Sequence, residues 1–250
     1  MIARVADHCF WLGRYIERTE STARVLQATE TLALDAELPP RRCWHPVVIV
    51  SGQEADCVDR FGSDALGNAE VVQRYLALDE ENPVSMRRSV IAARENARSI
   101  REVISLDVWQ VMNELHVFLC SEEAVATYEI DRDALYARVQ RSTQLILGLL
   151  RSTMLHDAPL DFVWLGVLLE RVGQTARLLD VQYHALIAEG CATSVGAAKG
   201  QSPGASVEAS GAARGRELSK RGPAPGPIRR RRGVRVGRGC WHCPRRTKYR

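Results

Sequence analysis

Two segments of this chain repeat each other, and the repeat constrains the fold more than any other feature of the sequence. Residues 10–27 read FWLGRYIERTESTARVLQ and residues 163–180 read VWLGVLLERVGQTARLLD, with nine of 18 aligned positions identical and no gap. Segments so alike are expected to form the same element and to bury related faces. The architecture of the chain should therefore follow from how the two copies are placed.

Both copies have the periodicity of an amphipathic helix. Apolar or small residues recur three and four positions apart, as at Leu12, Ala23 and Leu26, which predicts a core-facing stripe. Gly13 and Glu17 form a second repeated stripe on nearly the opposite side of the helix. Glycine in mid-helix costs about 1 kcal/mol relative to alanine, so its repetition predicts close approach by another helix.

The second stripe combines glutamate with arginine, and three interpretations of it stay open. An ion-pair network between helices would fix their packing register, since a buried carboxylate needs a partner. Alternatively, a groove could read an anion through arginine and an amine through glutamate, or Glu17 or Glu170 could act directly in catalysis. The candidate residues of this structural or ligand-binding groove are Gly13, Glu17, Arg18, Arg24, Gly166, Glu170, Arg171 and Arg177.

The rest of residues 1–189 is predicted to be helical almost throughout. Residues 47–50 are the only plausible strand, but a lone strand has no partner, so a helix is favoured for residues 43–51. Residues 56–67 are predicted to be a loop. The helices expected after that loop cover residues 68–79, 86–105 with Ser85 or Asn82 as the cap, 107–125, 132–155 and 159–188. Loops this short predict an all-α antiparallel helical bundle.

Charge and composition change abruptly near residue 189. Residues 190–250 hold 15 Lys and Arg against two acidic residues, 11 of the 18 glycines and no Phe, whereas residues 1–189 carry a net charge of −9. A segment so poor in large apolar side chains cannot offset its ordering entropy by burial. We therefore predict a helical domain over residues 1–189 and a disordered basic tail over residues 190–250, whose arginines could attract nucleic acid.

The sequence contains little that points to chemistry of its own. It has no run of about 18 apolar residues and no apolar signal-peptide region, so a cytoplasmic location without a membrane span is expected. Its scattered cysteines favour reduced thiols, and the single C-x-x-C at Cys240 and Cys243 supplies too few ligands for a structural zinc site. No phosphate-binding loop or nucleophile elbow occurs. We predict no catalytic, cofactor-binding or metal-ligating residue, and a noncatalytic protein rather than an enzyme.

The repeated motif W-L-G-x3-E-R-x3-T-A-R resembles that of the bacterial alpha-E proteins, an all-helical family named for its Glu-Arg motif. Three segments carry the resemblance, at residues 3–26, 82–105 and 164–184. The dipeptides Glu17-Arg18 and Glu170-Arg171 match the namesake motif. A central motif of the family matches at Arg94, Glu95, Asn96 and Arg98.

The resemblance implies a partnership rather than a reaction. Members of the family are associated with ATP-grasp-like peptide ligases and transglutaminase-like proteins, so we expect a noncatalytic helical partner or scaffold in a peptide-modification system. The alternatives are an enzyme of that system with an unrecognised Glu/Arg site, and nucleic-acid binding through the basic tail. Similar proteins continue with further helices where this chain becomes rich in Gly, Pro and Arg. A shifted reading frame near residue 190, leaving the helical domain incomplete, is therefore expected.

Overall fold

The computed structural model describes residues 3–35 and 39–198, with side chains described up to residue 181. These residues form nine α-helices, one 3₁₀ helix and no β-strand, which confirms the predicted all-α class. They belong to one compact unit, residues 1–201. The α-helices are α1 (Ala3–Asp35), α2 (Pro40–Ser51), α3 (Glu54–Phe61), α4 (Ala69–Ala77), α5 (Met86–Ser99), α6 (Leu106–Leu119), α7 (Glu122–Ile130), α8 (Arg132–Thr153) and α9 (Ala158–Ala198), and the 3₁₀ helix is Ser63–Gly67.

Side-chain caps set the starts of four helices. Asn68, Ser85, Ser105 and Asp131 each accept a hydrogen bond from a backbone N–H of the turn that follows, which satisfies a donor that would otherwise be free. Of the two caps predicted for α5, Ser85 is the one that holds the helix. Asn82 is fully buried instead, and its amide donates to a backbone carbonyl of α4 at 2.9 Å.

Three predicted boundaries are wrong. Residues 56–67, predicted as a loop, form most of α3 and the 3₁₀ helix. In α3, acidic residues in the first turn and Arg60 in the last turn complement the helix dipole. The helix predicted to reach residue 105 ends at Ser99, where the buried Ile100 leaves helical geometry. The helix predicted over residues 107–125 is interrupted at Cys120, and α7 begins after Ser121.

The segment with four consecutive β-branched residues is helical, as α2. Pro40 lies at the start of this helix, where the missing N–H costs no hydrogen bond. Val47, Val48 and Val50 are buried, and Gly52 ends the helix in a left-handed conformation with φ 74°. Tertiary burial of the valines therefore outweighs their strand propensity.

α1 is the central helix of the fold and packs against α2, α5, α8 and α9. Gln140 and Gln144 of α8 donate to Gln27 and Glu20 of α1, at 3.0 and 3.2 Å. Because these contacts run in opposite order along the two helices, α1 and α8 are antiparallel. Between α5 and α6, Arg87 contacts Leu119 and the later residue Arg94 contacts the earlier residue Asn113. These consecutive helices are therefore antiparallel, as predicted.

α9 is the longest helix and reaches Ala198, past the end at residue 188 that periodicity predicts. Residue 199 onward lies outside the described residues. That part contains most of the predicted basic tail, the arginines expected to attract nucleic acid, and Cys240 with Cys243. Among the helices described, none is long and apolar enough to cross a membrane.

Candidate functional site

The two repeats meet through their glycines. A Cβ added at Gly13 would lie 3.0 Å from the carbonyl carbon of Val163 and closer still to its oxygen. A Cβ at Gly166 would meet the carbonyl of Phe10 in the same way. Val163 is the repeat counterpart of Phe10, so the contact looks the same from either helix. The close approach predicted from mid-helix glycine is thus made by the repeats themselves, at a distance that only glycine permits.

One turn further along, the glutamate of each repeat binds an arginine of the other. Arg171 donates from Nε and Nη2 to the two oxygens of Glu17, each at 2.8 Å. Arg18 donates from Nε to Oε1 of Glu170 at 2.8 Å and from Nη2 to Oε2 at 3.2 Å. Both pairs are bidentate, the strongest geometry for an arginine and a carboxylate.

These contacts follow one approximate twofold relation between α1 and α9. Residue 10 lies against residue 166 and residue 17 against residue 171, so equivalent levels of the two helices face each other. The repeats therefore run parallel and in register, unlike the antiparallel pairs elsewhere in the fold. We call the six residues Gly13, Glu17, Arg18, Gly166, Glu170 and Arg171 the ER crossing.

The surroundings of the two glutamates differ. The side chain of Glu170 is fully buried and also accepts from Arg14 Nε at 2.6 Å, whereas Arg171, the partner of Glu17, is 53% exposed. Burial opposes the ionisation of Glu170, but hydrogen bonds and charges from Arg18 and Arg14 outweigh it and hold the pKa of Glu170 below its usual value. The hydrogen bond to Glu17 raises the pKa of the Arg171 guanidinium. These shifts keep Glu170 and Arg171 charged near neutral pH.

The repeat does not reveal Arg14, because its counterpart in the second copy is Val167. The available signal is its position four residues before Arg18, which places both side chains on one face of α1. Their two guanidinium groups converge on the single buried carboxylate of Glu170. Arg14 is thus a further member of the cluster, which repeat comparison alone does not reveal.

Arg24 and Arg177 do not join the ER crossing. Arg24 forms an ion pair with Glu20, one turn earlier on its own helix. The counterpart of Glu20 in the second repeat is Gly173, and Arg177 donates from Nε to its carbonyl oxygen at 3.2 Å. The two arginines occupy equivalent positions but have different partners, because position 20 of the first repeat is acidic and its counterpart is not.

A groove beside the ER crossing is lined by two of the candidate arginines. It lies between α1, α2, α4, α9 and the loop before α5 and is partly open to solvent. Arg18 and Arg177 lie on its wall, with Val47 and Val50 of α2 opposite. Neither glutamate of the ER crossing lines this space. We call it the Arg groove, since it offers cations but no carboxylate from the repeated motif.

The central motif lies on α5, apart from the ER crossing. Arg94 and Arg98 pair with Glu95 at 3.1 and 3.5 Å, and Arg94 also binds an asparagine of α6. The Asn96 amide oxygen lies 2.9 Å from Nδ1 of His8 in α1. These contacts connect α5 to its neighbours α6 and α1. The structure brings the central motif together as a packing element rather than as part of the repeated cluster.

The ER crossing has little capacity left for chemistry. Each carboxylate already accepts two or more hydrogen bonds from guanidinium groups, and Ser21 and Gln174, which are repeat counterparts, donate to the same carboxylates at 3.4 Å. A general acid or base must exchange a proton with a substrate. Within the described part of the chain, no group of three His, Cys, Asp or Glu side chains is placed to hold a metal ion. The arrangement joins α1 and α9 through paired charges.

Comparison with known sequences relates the chain to mycobacterial proteins. It is 25% identical, over 183 residues, to uncharacterised proteins of Mycobacterium bovis and Mycobacterium tuberculosis. The match covers 67% of this chain but only 21% of each relative, so the chain spans about a fifth of their length. No solved structure matches it significantly.

The family comparison covers most of the chain. The sequence profile of the Alpha-E family, described as a predicted alpha-helical domain with a conserved ER motif, matches residues 1–206. That range contains both repeats, and with them both Glu-Arg dipeptides of the ER crossing. The matched range and the all-helical fold built around those dipeptides lead to one conclusion: the chain belongs to the Alpha-E family.

Proposed function

We propose that this chain is a noncatalytic helical partner or scaffold in a peptide-modification system that contains an ATP-grasp-like peptide ligase and a transglutaminase-like protein. The observation that supports a noncatalytic role is the saturation of Glu17 and Glu170 by arginines of the opposite repeat. The identity of the partners is an implication of the family resemblance.

A buried, charged crossing suits a scaffold because it specifies one arrangement of two helices. Sliding α1 along α9 would leave a buried carboxylate unpaired, which is far more costly than losing an apolar contact. The glycines add a steric constraint, since the two helix axes can approach so closely only where Gly13 and Gly166 lack a Cβ. A rigid α1–α9 pair would hold the outer faces of both helices at a constant angle for a partner.

The length of the mycobacterial relatives also supports a modular role. About four fifths of each relative lies outside the segment that this chain matches, so the helical segment there is joined to much additional polypeptide. We propose that it works beside other domains in those proteins, and that this chain works beside partners of the same kind. We further propose a cytoplasmic location, which the buried free thiols Cys9, Cys43 and Cys57 favour.

A second candidate function, binding of a small anion, is favoured by the Arg groove. Its lining combines apolar side chains with a few polar ones, as the lining of ligand sites does. Arg177 would bind a carboxylate, next to Arg18, whose Nε and Nη2 are held by Glu170. Val47 and Val50 would contact an aliphatic group beside it. A peptide with a free carboxyl end has this chemistry. Arg177→Gln should then weaken binding of that peptide and leave its amidated form unaffected.

Capture from the native host tests the scaffold proposal. The tagged full chain should enrich an ATP-grasp-like ligase or a transglutaminase-like protein over the tag alone, and Gly166→Ala, which should disrupt the ER crossing, should lose that enrichment. Recovery of neither protein would contradict the proposal. ATP turnover or peptide modification by the chain alone, abolished by Glu17→Gln at an unchanged melting temperature, would establish the enzyme alternative. Salt-resistant, sequence-selective DNA binding would favour the nucleic-acid alternative.

A further inference from the structure

The Arg groove and the ER crossing share three side chains. Arg18, Ser21 and Gln174 line the groove, and each of them also donates a hydrogen bond to a glutamate of the crossing. Arg18 holds Glu170 from Nε at 2.8 Å and from Nη2 at 3.2 Å. A molecule in the groove would therefore contact the same donors that bind the two buried glutamates.

The hydrogen bonds from Ser21 and Gln174 are long and weak. Ser21 Oγ lies 3.4 Å from Oε1 of Glu17, and Gln174 Nε2 lies 3.4 Å from Oε1 of Glu170. Hydrogen bonds of these types are usually about 2.5–3.2 Å long. Each glutamate also has a bidentate arginine from the opposite repeat. Both weak donors can therefore turn to a ligand without leaving a buried carboxylate unpaired.

Arg177 adds a cation at the edge of the groove. Its Nε donates to the carbonyl oxygen of Gly173 at 3.2 Å, and its Nη1 lies 3.9 Å from the position of a Cβ added at Gly52. The guanidinium group thus lies between α9 and the C-terminal end of α2. Within the described part of the chain, its Nη1 and Nη2 groups make no hydrogen bond to another residue. Planar N–H donors of this kind favour a carboxylate.

The remaining wall of the groove is mainly aliphatic. Val47, Val50 and Leu76 are buried core residues, Val25 packs against the core, and Val84 lies in the loop before α5. None of the described residues that line the groove is aromatic or acidic. Removal of apolar surface from water at such a wall favours a branched aliphatic group.

We propose that the Arg groove binds a carboxylate that carries a short branched aliphatic group, and that Ser21 and Gln174 complete the carboxylate site. In the bound state Arg177 pairs with the carboxylate, and Ser21 Oγ and Gln174 Nε2 donate to it instead of to the crossing. The aliphatic group lies against the valines of the wall. This rests on the second candidate function, anion binding in the groove, and adds the class of ligand and two residues that recognise it.

Titration of the full chain with N-acetylvaline, followed by NMR of the backbone amides, tests the ligand class. The parent should bind it saturably and should not bind N-acetylvalinamide, which has no carboxylate. N-acetylglycine, which lacks the aliphatic group, should bind about tenfold more weakly. Tighter binding of N-acetylvaline than of isovalerate would assign the site to the end of a peptide, and equal binding would assign it to a free branched acid. Either result sustains the inference.

Substitutions test the two added residues. Gln174→Leu should weaken binding of N-acetylvaline about tenfold, because a hydrogen bond to a charged group is lost, and Ser21→Ala should weaken it about threefold. The matched control is Gln144→Leu, since the Gln144 amide donates to Glu20 at 3.2 Å and does not line the groove. Its affinity should stay within about twofold of the parent. Circular dichroism checks that each variant is folded.

Three results would overturn the inference. If Arg177→Gln weakened binding but Ser21→Ala/Gln174→Leu did not, the anion-binding function would stand without these two residues. If N-acetylglycine bound the parent as tightly as N-acetylvaline, that function would stand without the aliphatic ligand class. If none of the three carboxylates bound saturably, the inference and the anion-binding function would both be wrong. A variant that lost helicity would leave the decision to the comparison of ligands on the parent chain.

Discussion

Alanine substitution of four helical glycines tests the central contact of this fold. Gly148 in α8 has no atom within 4 Å of an added Cβ, and at Gly173 in α9 the nearest atom is the flexible end of Arg177 at 3.7 Å. At these two positions alanine should stabilise the protein by about 1 kcal/mol, the difference in helix propensity. They are matched controls, because they share the chemistry of the change and lack the close approach.

Gly166→Ala and Gly13→Ala should have the opposite effect. An added Cβ at Gly166 lies 3.0 Å from Arg14 N and from the carbonyl carbon of Phe10, and nearer to the oxygen. Backbone cannot rotate away as a side chain can, so the helices must separate. Overpacking of this kind costs about 1–3 kcal/mol, and separation also strains the bidentate pairs one turn away. Against a propensity gain of about 1 kcal/mol, we expect a net loss of about 2 kcal/mol.

Urea unfolding followed by circular dichroism measures this difference directly. For a domain of this size, a loss of about 2 kcal/mol corresponds to a melting temperature lower by roughly 4–8 °C. Both crossing variants should unfold at a lower urea concentration than the parent, and both controls at a higher one; thermal unfolding should show the same order of melting temperatures. If Gly166→Ala and Gly13→Ala were as stable as the parent, the repeats would not pack through their glycines, and the derivation of the ER crossing would be wrong.

Three further predictions concern the charges of the crossing. In urea unfolding, the single variant Glu17→Arg should lose stability, and adding Arg171→Glu should restore most of it. Adding Arg177→Glu instead should not restore it. Equal recovery in the two double variants would show that Arg171 is not the specific partner. Glu170→Gln should cost about 3 kcal/mol in the same assay and more than Glu17→Gln, since Glu170 is fully buried between two guanidinium groups; the reverse order would contradict that reasoning. The pKa of Glu170 is lowered in the folded protein, so its stabilisation is complete above the unfolded pKa of about 4.3 and is lost as pH falls through the folded value. Glu170→Gln should therefore flatten the dependence of unfolding free energy on pH below about pH 4.5, and an unchanged slope would refute this assignment.

The sequence predicts that both repeats form helices, but not whether those helices run parallel or antiparallel. Helical periodicity and mid-helix glycine predict two helices in close contact, and both are present. Whether Glu17 meets Arg171 or Arg177 depends on the crossing angle and register of the two helices. Those quantities are set by backbone contact at Gly13 and Gly166, and the spacing along one helix contains no information about them.

Local rules fail where tertiary burial decides. Residues 56–67 look like a loop because they are polar, yet the buried Cys57 anchors them as a helix. Residues 47–50 have strong strand propensity and are helical in the core. The second repeat shows the opposite case. Its apolar pattern is nearly that of the first repeat, yet Leu165 and Leu179 are exposed whereas their counterparts Leu12 and Leu26 are buried. Pattern predicts which face is apolar, but not whether anything packs on it.

The parallel arrangement of the two repeats has a consequence for the order of folding. Glu17 and Arg171 are 154 residues apart in the chain, and nearly the whole described fold lies between them. Contacts of such long range close late and lower the folding rate. During synthesis at about 5–20 residues per second, α1 emerges roughly 8–30 s before its partner exists. For that interval Glu17 has no Arg171 to bind, so the contact at the centre of the native fold cannot be among the first to form.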